Sequence, residues 1–505
     1  MRTLMRVVFF VVLINPVTLV SRAQVSTSGI SGIVTNADGL PLSAVKVVAT
    51  HVPTSSLFGA ISDEKGFFKL PDLSIGGPYL IKVTLAGYQS YILQDIYLIL
   101  GDFYTIDVSL KAKELIVKRR DRTRDTVVVI LSMDGFRWDY PDRYHTPNLD
   151  RMERNGVKAA SLQPSYPTKT FPNHYSIATG LYPDHHGIVQ NSFYDPKLNR
   201  IFRMGDRSAV EDSVFWEGEA IWETAEMQGI KTACYFWVGS ESNETYRPGY
   251  RKFYENEFPY RQQIDTVMYW LGLPQDQRPR LVMFYFDEPD ATSHDFGPES
   301  KETQKVVEEL DHLVGLITRR FHKVEKAQEI AINFIILSDH GMGTIAEGNT
   351  LFLEDMIDLK RIKRINGGNP VMIMEPDPDY MQEATQRLKA VGTIKAWNRS
   401  ELPAYYHYGT HPRIPEIIVE ANQGYGLEIR RKSGVTYSRG THGYDPHNRD
   451  MHGIFYASGP AFKSGYVQTT FENVAIYGLL ANILGLKPAA NDGDFTTIRG
   501  VLKSR

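Results

Sequence analysis

The sequence predicts an α/β region built on a mostly parallel sheet, preceded by a small all-β unit. Three observations carry this reading. Continuous β-branched and aromatic runs at Thr126–Met133 (TVVVILSM), Leu281–Phe286 (LVMFYF) and Ala331–Ser338 (AINFIILS) have the pattern of strands buried on both faces. Helical stretches such as Glu219–Gln228 and Glu302–Phe321 lie between them. Residues 28–111, in contrast, alternate short apolar runs with Gly, Asp, Asn and Pro, as strands and tight turns do.

A chain of 505 residues has room for roughly two to four domains. It is 42% hydrophobic and 23% charged with a net charge of −3, so bulk charge does not point to a nucleic-acid-binding patch or a membrane-surface binder. Two arginines in Met1–Arg6, an apolar run Val7–Val20 and the small residues of Ser21-Arg22-Ala23 predict a signal peptide over residues 1–23, cleaved after Ala23. The alternative is an uncleaved anchor, but the run of 14 is short for a membrane span, and the mature chain is expected to have none. With Cys234 as the one cysteine, no intrachain disulfide forms. Export without disulfides suits a bacterial periplasm or an extracellular setting.

Residues 28–111 read as about seven short strands, with Asp38-Gly39 and Lys65-Gly66 as turns between them. This spacing resembles the carboxypeptidase-regulatory-like domain, a transthyretin-type β-sandwich. Nothing in it looks catalytic, and a spacer or docking role is expected. Residues 112–125 form a charged linker, read as a solvated tether, and the catalytic unit is expected over residues 126–505.

The stretch PTKTFPNH (167–174) lies before a short helix closed by Gly180. Pro172 suits a first helical turn, which sets the Thr170 hydroxyl at a helix start where free N–H groups favour an anion. Thr170 is there either a helix cap or a nucleophile for a phosphoryl centre.

Each long apolar run ends at an acidic residue: Asp134 after the first, Asp287 and Asp290 after the second, Asp339-His340 after the third. A fourth run, Gly453–Ala457, follows His442. Ligands bind beyond the carboxyl ends of strands in open α/β sheets. Asp134, Thr170, Asp290, His294, Asp339, His340 and His442 make seven oxygen and nitrogen donors without a thiolate. Such a set suits zinc, or less specifically manganese or iron, and seven ligands furnish two sites. Two metals ~4 Å apart can clamp the attacking and leaving oxygens of an in-line displacement.

The segments LSMDGFR (131–137), YPTKTFPNHYSIATGLYPDHHGI (166–188), FDEPDATSHDFGP (286–298), ILSDHGMG (336–343) and THGYDP (441–446) resemble the nucleotide pyrophosphatase/phosphodiesterase family of the alkaline-phosphatase superfamily. The resemblance covers residues 126–490 and implies an alkaline-phosphatase-like sheet flanked by helices. It also implies two zinc ions per chain, one held by Asp290, His294 and His442, the other by Asp134, Thr170, Asp339 and His340. Asn191 matches the residue that steadies a phosphoryl oxygen together with the backbone N–H at the nucleophile. His174, His185, His186, His447 and His452 match no ligand position and are expected to be structural or to support ligands.

Both readings together imply attack by Thr170 on phosphorus and hydrolysis of a phospho-threonine, with net retention. The segment 235–256 (YFWVGSESNETYRPGYRKFYEN) resembles a loop of the nucleotide-hydrolysing members that the lysophospholipase-D-type member lacks. Val238 stands where a proline is usual and Glu241 where an aspartate is. Phe171, Tyr254 and Trp237 are the aromatic residues expected to hold a nucleotide base. A phosphomonoesterase, a choline-phosphoester phosphodiesterase and a non-catalytic binding protein are the alternatives.

Overall fold

The computed structural model describes residues 28–112 and 126–503. The expected signal peptide and all of the expected linker except Ala112 lie outside the described residues. The described chain divides into two compact units, with the boundary between Glu114 and Leu115.

The first unit is a sandwich of two four-stranded sheets. One sheet joins Ser28–Asn36 to Phe67–Leu73, Phe103–Thr105 and Val108–Leu110. The other runs in the order Ser56–Ile61, Lys46–His51, Gly76–Thr84, Tyr91–Leu98. Ile30, Val34, Val47, Phe68, Tyr79, Ile81 and Val83 fill the space between them. The expected turns form: Gly39 and Gly66 are left-handed, and the carboxamide of Asn36 and carboxylate of Asp63 accept the turn N–H groups. FYTIDVSL, expected as one strand, is two. The Ile106 carbonyl crosses so close to Gly32 that a Cβ there would sit 1.8 Å from its oxygen, and Asp107 Oδ1 accepts Ile33 N–H. The strand bends at that crossing and pairs in two pieces.

The second unit is organised on an eight-stranded sheet. Its strands are β1 (Thr126–Met133), β2 (Val157–Ala159), β3 (Thr232–Tyr235), β4 (Tyr250–Lys252), β5 (Leu281–Phe286), β6 (Ala331–Leu337), β7 (Phe455–Ser458) and β8 (Tyr466–Gln468). They lie in the order β4-β3-β5-β1-β6-β7-β2-β8, and β7 alone runs against the rest. β1 is buried on both faces: Val128 and Ile130 join one core, Val127, Val129 and Leu131 the other. Fully burying each such side chain contributes about 1.5–3 kcal/mol. Helices α1 (Thr170–Thr179) and α4 (Ala475–Leu484) pack on the first face. On the second face, α3 (Lys301–Gln328) buries Val307, Leu310, Val314, Ile317 and Phe321 at helical spacing. It continues past the expected end at Phe321 because the stripe and good helix formers continue.

A smaller antiparallel sheet, in the order Ile362–Gly368, Val371–Pro376, Ile417–Ala421, Ile394–Asn398, has its own core. Its Gly367–Asn369 turn reaches Lys169 and Thr441. No helix among the described residues is long and apolar enough to cross a membrane.

Candidate active site

The site is assembled at the carboxyl end of the parallel strands. β1 delivers Asp134, whose N–H bonds Phe286 O at the end of β5. Gly135 is left-handed, and a Cβ there would lie 2.9 Å from Asp290, so this turn requires glycine. β5 leads through Asp287–Pro289 into α2 (Asp290–Phe296), which sets Asp290 and His294 one turn apart on one face. β6 delivers Asp339 and His340. His442 arrives differently from the other donors. β7 is antiparallel with Phe455 opposite Leu337, so the loop that precedes it, rather than one that follows it, reaches the same edge.

All seven expected metal donors converge. Asp134, Asp339 and His340 form one group and Asp290, His340 and His442 another, with donor atoms within 4.8 Å of one another in each. His340 Nε2 lies 3.0 Å from Asp339 Oδ2, 3.3 Å from Asp134 Oδ1 and 3.2 Å from Thr170 Oγ1. Asp290 approaches His294 Nε2 at 3.4 Å and His442 Nε2 at 3.6 Å. The His340 and His442 rings stack at 3.6 Å, so His340 stands between the two groups.

The supporting bonds fix which atoms face the centre. His294, His340 and His442 each direct Nδ1 at a backbone carbonyl, of Gly440, Gly341 and Thr168 respectively, at 2.7–2.9 Å. That leaves Nε2 of each toward the cluster, as metal-binding imidazoles are commonly held. Asp134 Oδ1, Asp290 Oδ1 and Asp339 Oδ2 are buried without a hydrogen-bond partner. Burial raises the Asp134 carboxyl well above its ordinary range, and the charges of Asp339 and Asp290 raise it further. Burial would also raise Asp339, but the imidazoles of His340 and His174 hold it well below that range. Converging carboxylates with orphaned oxygens and three inward-facing Nε2 atoms fit one or two divalent cations of the zinc type.

Thr170 is the first residue of α1, not its cap. Lys169 occupies the N-cap position and no side chain caps the helix. The Thr170 hydroxyl therefore faces His340 rather than the helix backbone. Gly180 closes the helix in the left-handed conformation at φ 69°. Asn191 Oδ1 accepts the Phe171 N–H at 3.0 Å. That bond orients the Asn191 carboxamide beside the helix start.

Phe171 is half-buried against Phe202 and Trp216, at 5.9 and 6.3 Å between ring centroids. Tyr254 is 41% exposed, held by its backbone N–H on the buried Glu241 carboxylate. Glutamate at that position thus retains the loop, anchored by Arg207 on its other oxygen. Trp237 corrects the expectation. It is fully buried, its Nε1 directed at His174 O and its ring edge-on to His174. Phe236 adopts φ 61°, and this left-handed residue turns Trp237 into the core beneath α1, where it cannot stack on a base.

The remaining histidines lie outside the two donor groups. His174 lies 3.3 Å from Asp339 Oδ2 and bonds Ser132 Oγ. His185 pairs with Asp492, His186 bonds Ser176, His447 stacks on Tyr405, and His452 bonds Ser161. Sequence reading missed Tyr285, which donates to Asp134, and the Gly367-Gly368 turn, which brings Asn369 O to Lys169 Nζ. A tyrosine inside a buried strand gives no signal of its own, and the glycine pair reads as an ordinary turn.

The type I phosphodiesterase/nucleotide pyrophosphatase family profile matches residues 128–445, and the carboxypeptidase regulatory-like profile matches residues 29–111. The chain belongs to the type I phosphodiesterase/nucleotide pyrophosphatase family. It is 34% identical over 389 residues to a venom phosphodiesterase of Naja atra, covering 75% of this chain and 46% of that protein. An ectonucleotide pyrophosphatase/phosphodiesterase of Caenorhabditis elegans is 37% identical over 365 residues, 72% of this chain and 43% of that protein. The chain therefore spans less than half the length of these family relatives. Murine ectonucleotide pyrophosphatase/phosphodiesterase 5 superposes with a TM-score of 0.71 at 29% identity, over 75% of this chain and all of that one. The same mouse protein is known as an inactive threonine-to-alanine variant in complex with AMP.

Proposed function

We propose that this chain is an exported two-zinc phosphodiesterase/nucleotide pyrophosphatase that releases nucleoside 5′-monophosphates through a covalent phospho-threonine. The observation that carries the proposal is Thr170 Oγ1 at 3.2 Å from His340 Nε2, at a helix start and amid orphaned carboxylate oxygens. Asp134, Thr170, Asp339 and His340 would hold one zinc, and Asp290, His294 and His442 the other. Bound there, the ions would acidify an alcohol and neutralise charge on phosphoryl oxygens.

Thr170 Oγ forms the new bond to phosphorus as the bond to the leaving oxygen breaks. Asn191 Nδ2, positioned through Phe171 N–H, donates to a non-bridging oxygen. Water then cleaves the phospho-threonine and restores the hydroxyl. Phe171 and Tyr254 are assigned to the base, in keeping with the AMP complex of the murine relative. The β-sandwich unit holds none of the seven donors and is assigned a spacer or docking role. The apolar amino-terminal segment and the ectoenzyme names of the relatives support export, to a periplasm or the cell exterior.

The test is metal content followed by turnover of p-nitrophenyl thymidine 5′-monophosphate, ATP, glycerophosphocholine and p-nitrophenyl phosphate. Two equivalents of zinc, reversible inactivation by chelators and preference for the nucleotides are expected. Preference for p-nitrophenyl phosphate would make it a phosphomonoesterase, and preference for glycerophosphocholine a choline-phosphoester enzyme.

A further inference from the structure

We propose that Glu420, on the smaller antiparallel sheet, is a positioning residue for His442 and for the segment that leads into Thr170. The proposal rests on the metal-site reading above, in which His442 holds one of two zinc ions.

Glu420 lies on the strand Ile417–Ala421, opposite Val371 on one neighbouring strand and Lys395 on the other. Side chains alternate across the pleat. Ile417, Val419 and Ala421 fill the small sheet's own core, while Ile418 joins the core on the first face of the eight-stranded sheet. Glu420 shares the Ile418 face and is 1% exposed. A charge is costly to bury there unless it is paired and hydrogen-bonded. What it bonds accounts for its place.

Both carboxylate oxygens are engaged, and by three different segments. Oε1 accepts the Lys395 ammonium at 3.1 Å and the Asp445 N–H at 3.3 Å, and Oε2 accepts the Tyr406 hydroxyl at 3.3 Å. Asp445 stands three residues after His442 on the same loop. Tyr406 stacks on Tyr166 at 4.0 Å between ring centroids, and Tyr166 opens the run that ends at Thr170. The two segments are also bonded to each other. Thr168 O accepts His442 Nδ1, and Thr168 Oγ1 accepts the Gly443 N–H and donates to Tyr444 O. Glu420 therefore braces, from behind, the loop and the run whose front atoms are His442 Nε2 and Thr170 Oγ1.

Metal–ligand distances hold to about 0.2 Å, so a loop left slack by that much costs affinity at His442. The role depends on reach rather than on charge. A glutamine reaches as far as the glutamate: its oxygen can accept from Asp445 N–H and Lys395, and its amide N–H can donate to the Tyr406 oxygen. Lys395 also lies 3.8 Å from Asp445 Oδ2, so it keeps a carboxylate partner. An aspartate keeps the charge but is one methylene short of the loop. Were Glu420 there only to neutralise Lys395, the order would reverse, with aspartate the better substitute.

The experiment titrates zinc into wild type, Glu420→Gln and Glu420→Asp against a competing chelator, and follows turnover of p-nitrophenyl thymidine 5′-monophosphate as zinc is added. Glu420→Gln should bind both equivalents within about twofold of wild-type affinity, whereas Glu420→Asp should hold one of the two about tenfold more weakly. At limiting zinc the kcat of Glu420→Asp should fall with that loss while KM stays unchanged, and added zinc should restore it. A chain that had merely misfolded would not recover. The reverse order of the two variants, or wild-type zinc affinity in both, would overturn the role of Glu420 while leaving the metal site standing. A wild type that binds no zinc would overturn the metal-site reading, and the positioning role with it.

Discussion

Tyr285 donates its phenolic hydrogen to Asp134 Oδ2 at 2.6 Å, and the other oxygen of that carboxylate stands without a hydrogen bond 3.3 Å from His340 Nε2. Burial and the Asp134 charge push the phenol's pKa well up, so it remains a donor across the whole working pH range. One side of the carboxylate is thereby anchored and the other left for a cation.

Removing that anchor by Tyr285→Phe should weaken metal binding about 10–100-fold, as loss of a bond that supports a metal ligand commonly does. The ring would still fill its place in the core, so the thermal unfolding midpoint of the metal-free protein should change little. Titration with zinc against a competing chelator reads the effect. An unchanged affinity would mean that the phenol merely satisfies a buried carboxylate.

Tyr254→Ala should raise the Michaelis constant for a nucleoside 5′-monophosphate ester roughly five- to a hundredfold, the equivalent of about 1–3 kcal/mol of stacking. Bis(p-nitrophenyl) phosphate has no base to stack and should be affected far less. Trp237, by contrast, belongs to the core. Trp237→Ala should destabilise the fold by about 3–5 kcal/mol, a loss to be read by denaturant unfolding rather than in substrate preference.

Two buried imidazoles predict acid lability. Burial pushes His186 down to about 3 and His452 down to about 4. In the unfolded chain both protonate near ~6.5, so below that pH the unfolded state binds more protons than the folded one. Stability should therefore fall as pH drops from ~6.5 towards 4, each group adding a slope approaching ~1.4 kcal/mol per pH unit. Unfolding midpoints measured from pH 7.5 to 5 should be flatter for His186→Asn than for wild type. Parallel curves would remove His186 from the cause.

The apolar runs that end at Asp134, Asp287 and Asp339 were legible as buried strands because burial on both faces leaves no polar alternation to confuse. Thr170 was legible as a helix start through Pro172, which lies in the first turn, and Gly180, which closes the helix. The direction of β7 was not, since a short apolar run reads the same either way and only its pairing with β6 sets it. Trp237 misled because nothing local in YFWV announces that Phe236 takes a left-handed conformation. The small antiparallel sheet at 362–421 went unread, and with it the glycine turn against Lys169. Those contacts join residues some 200 positions apart, and no periodicity records them.

The role of Thr170 as nucleophile is tested most directly by the turnover number of Thr170→Ala on a nucleotide ester at matched metal content. Asp134, Asp339 and His340 remain to hold the cation, so the variant should fold and retain metal. Its rate should fall below a few per cent of wild type, while Thr170→Ser, which keeps the hydroxyl, should remain partly active. A metal-loaded alanine variant that turns over faster than that would contradict the covalent mechanism.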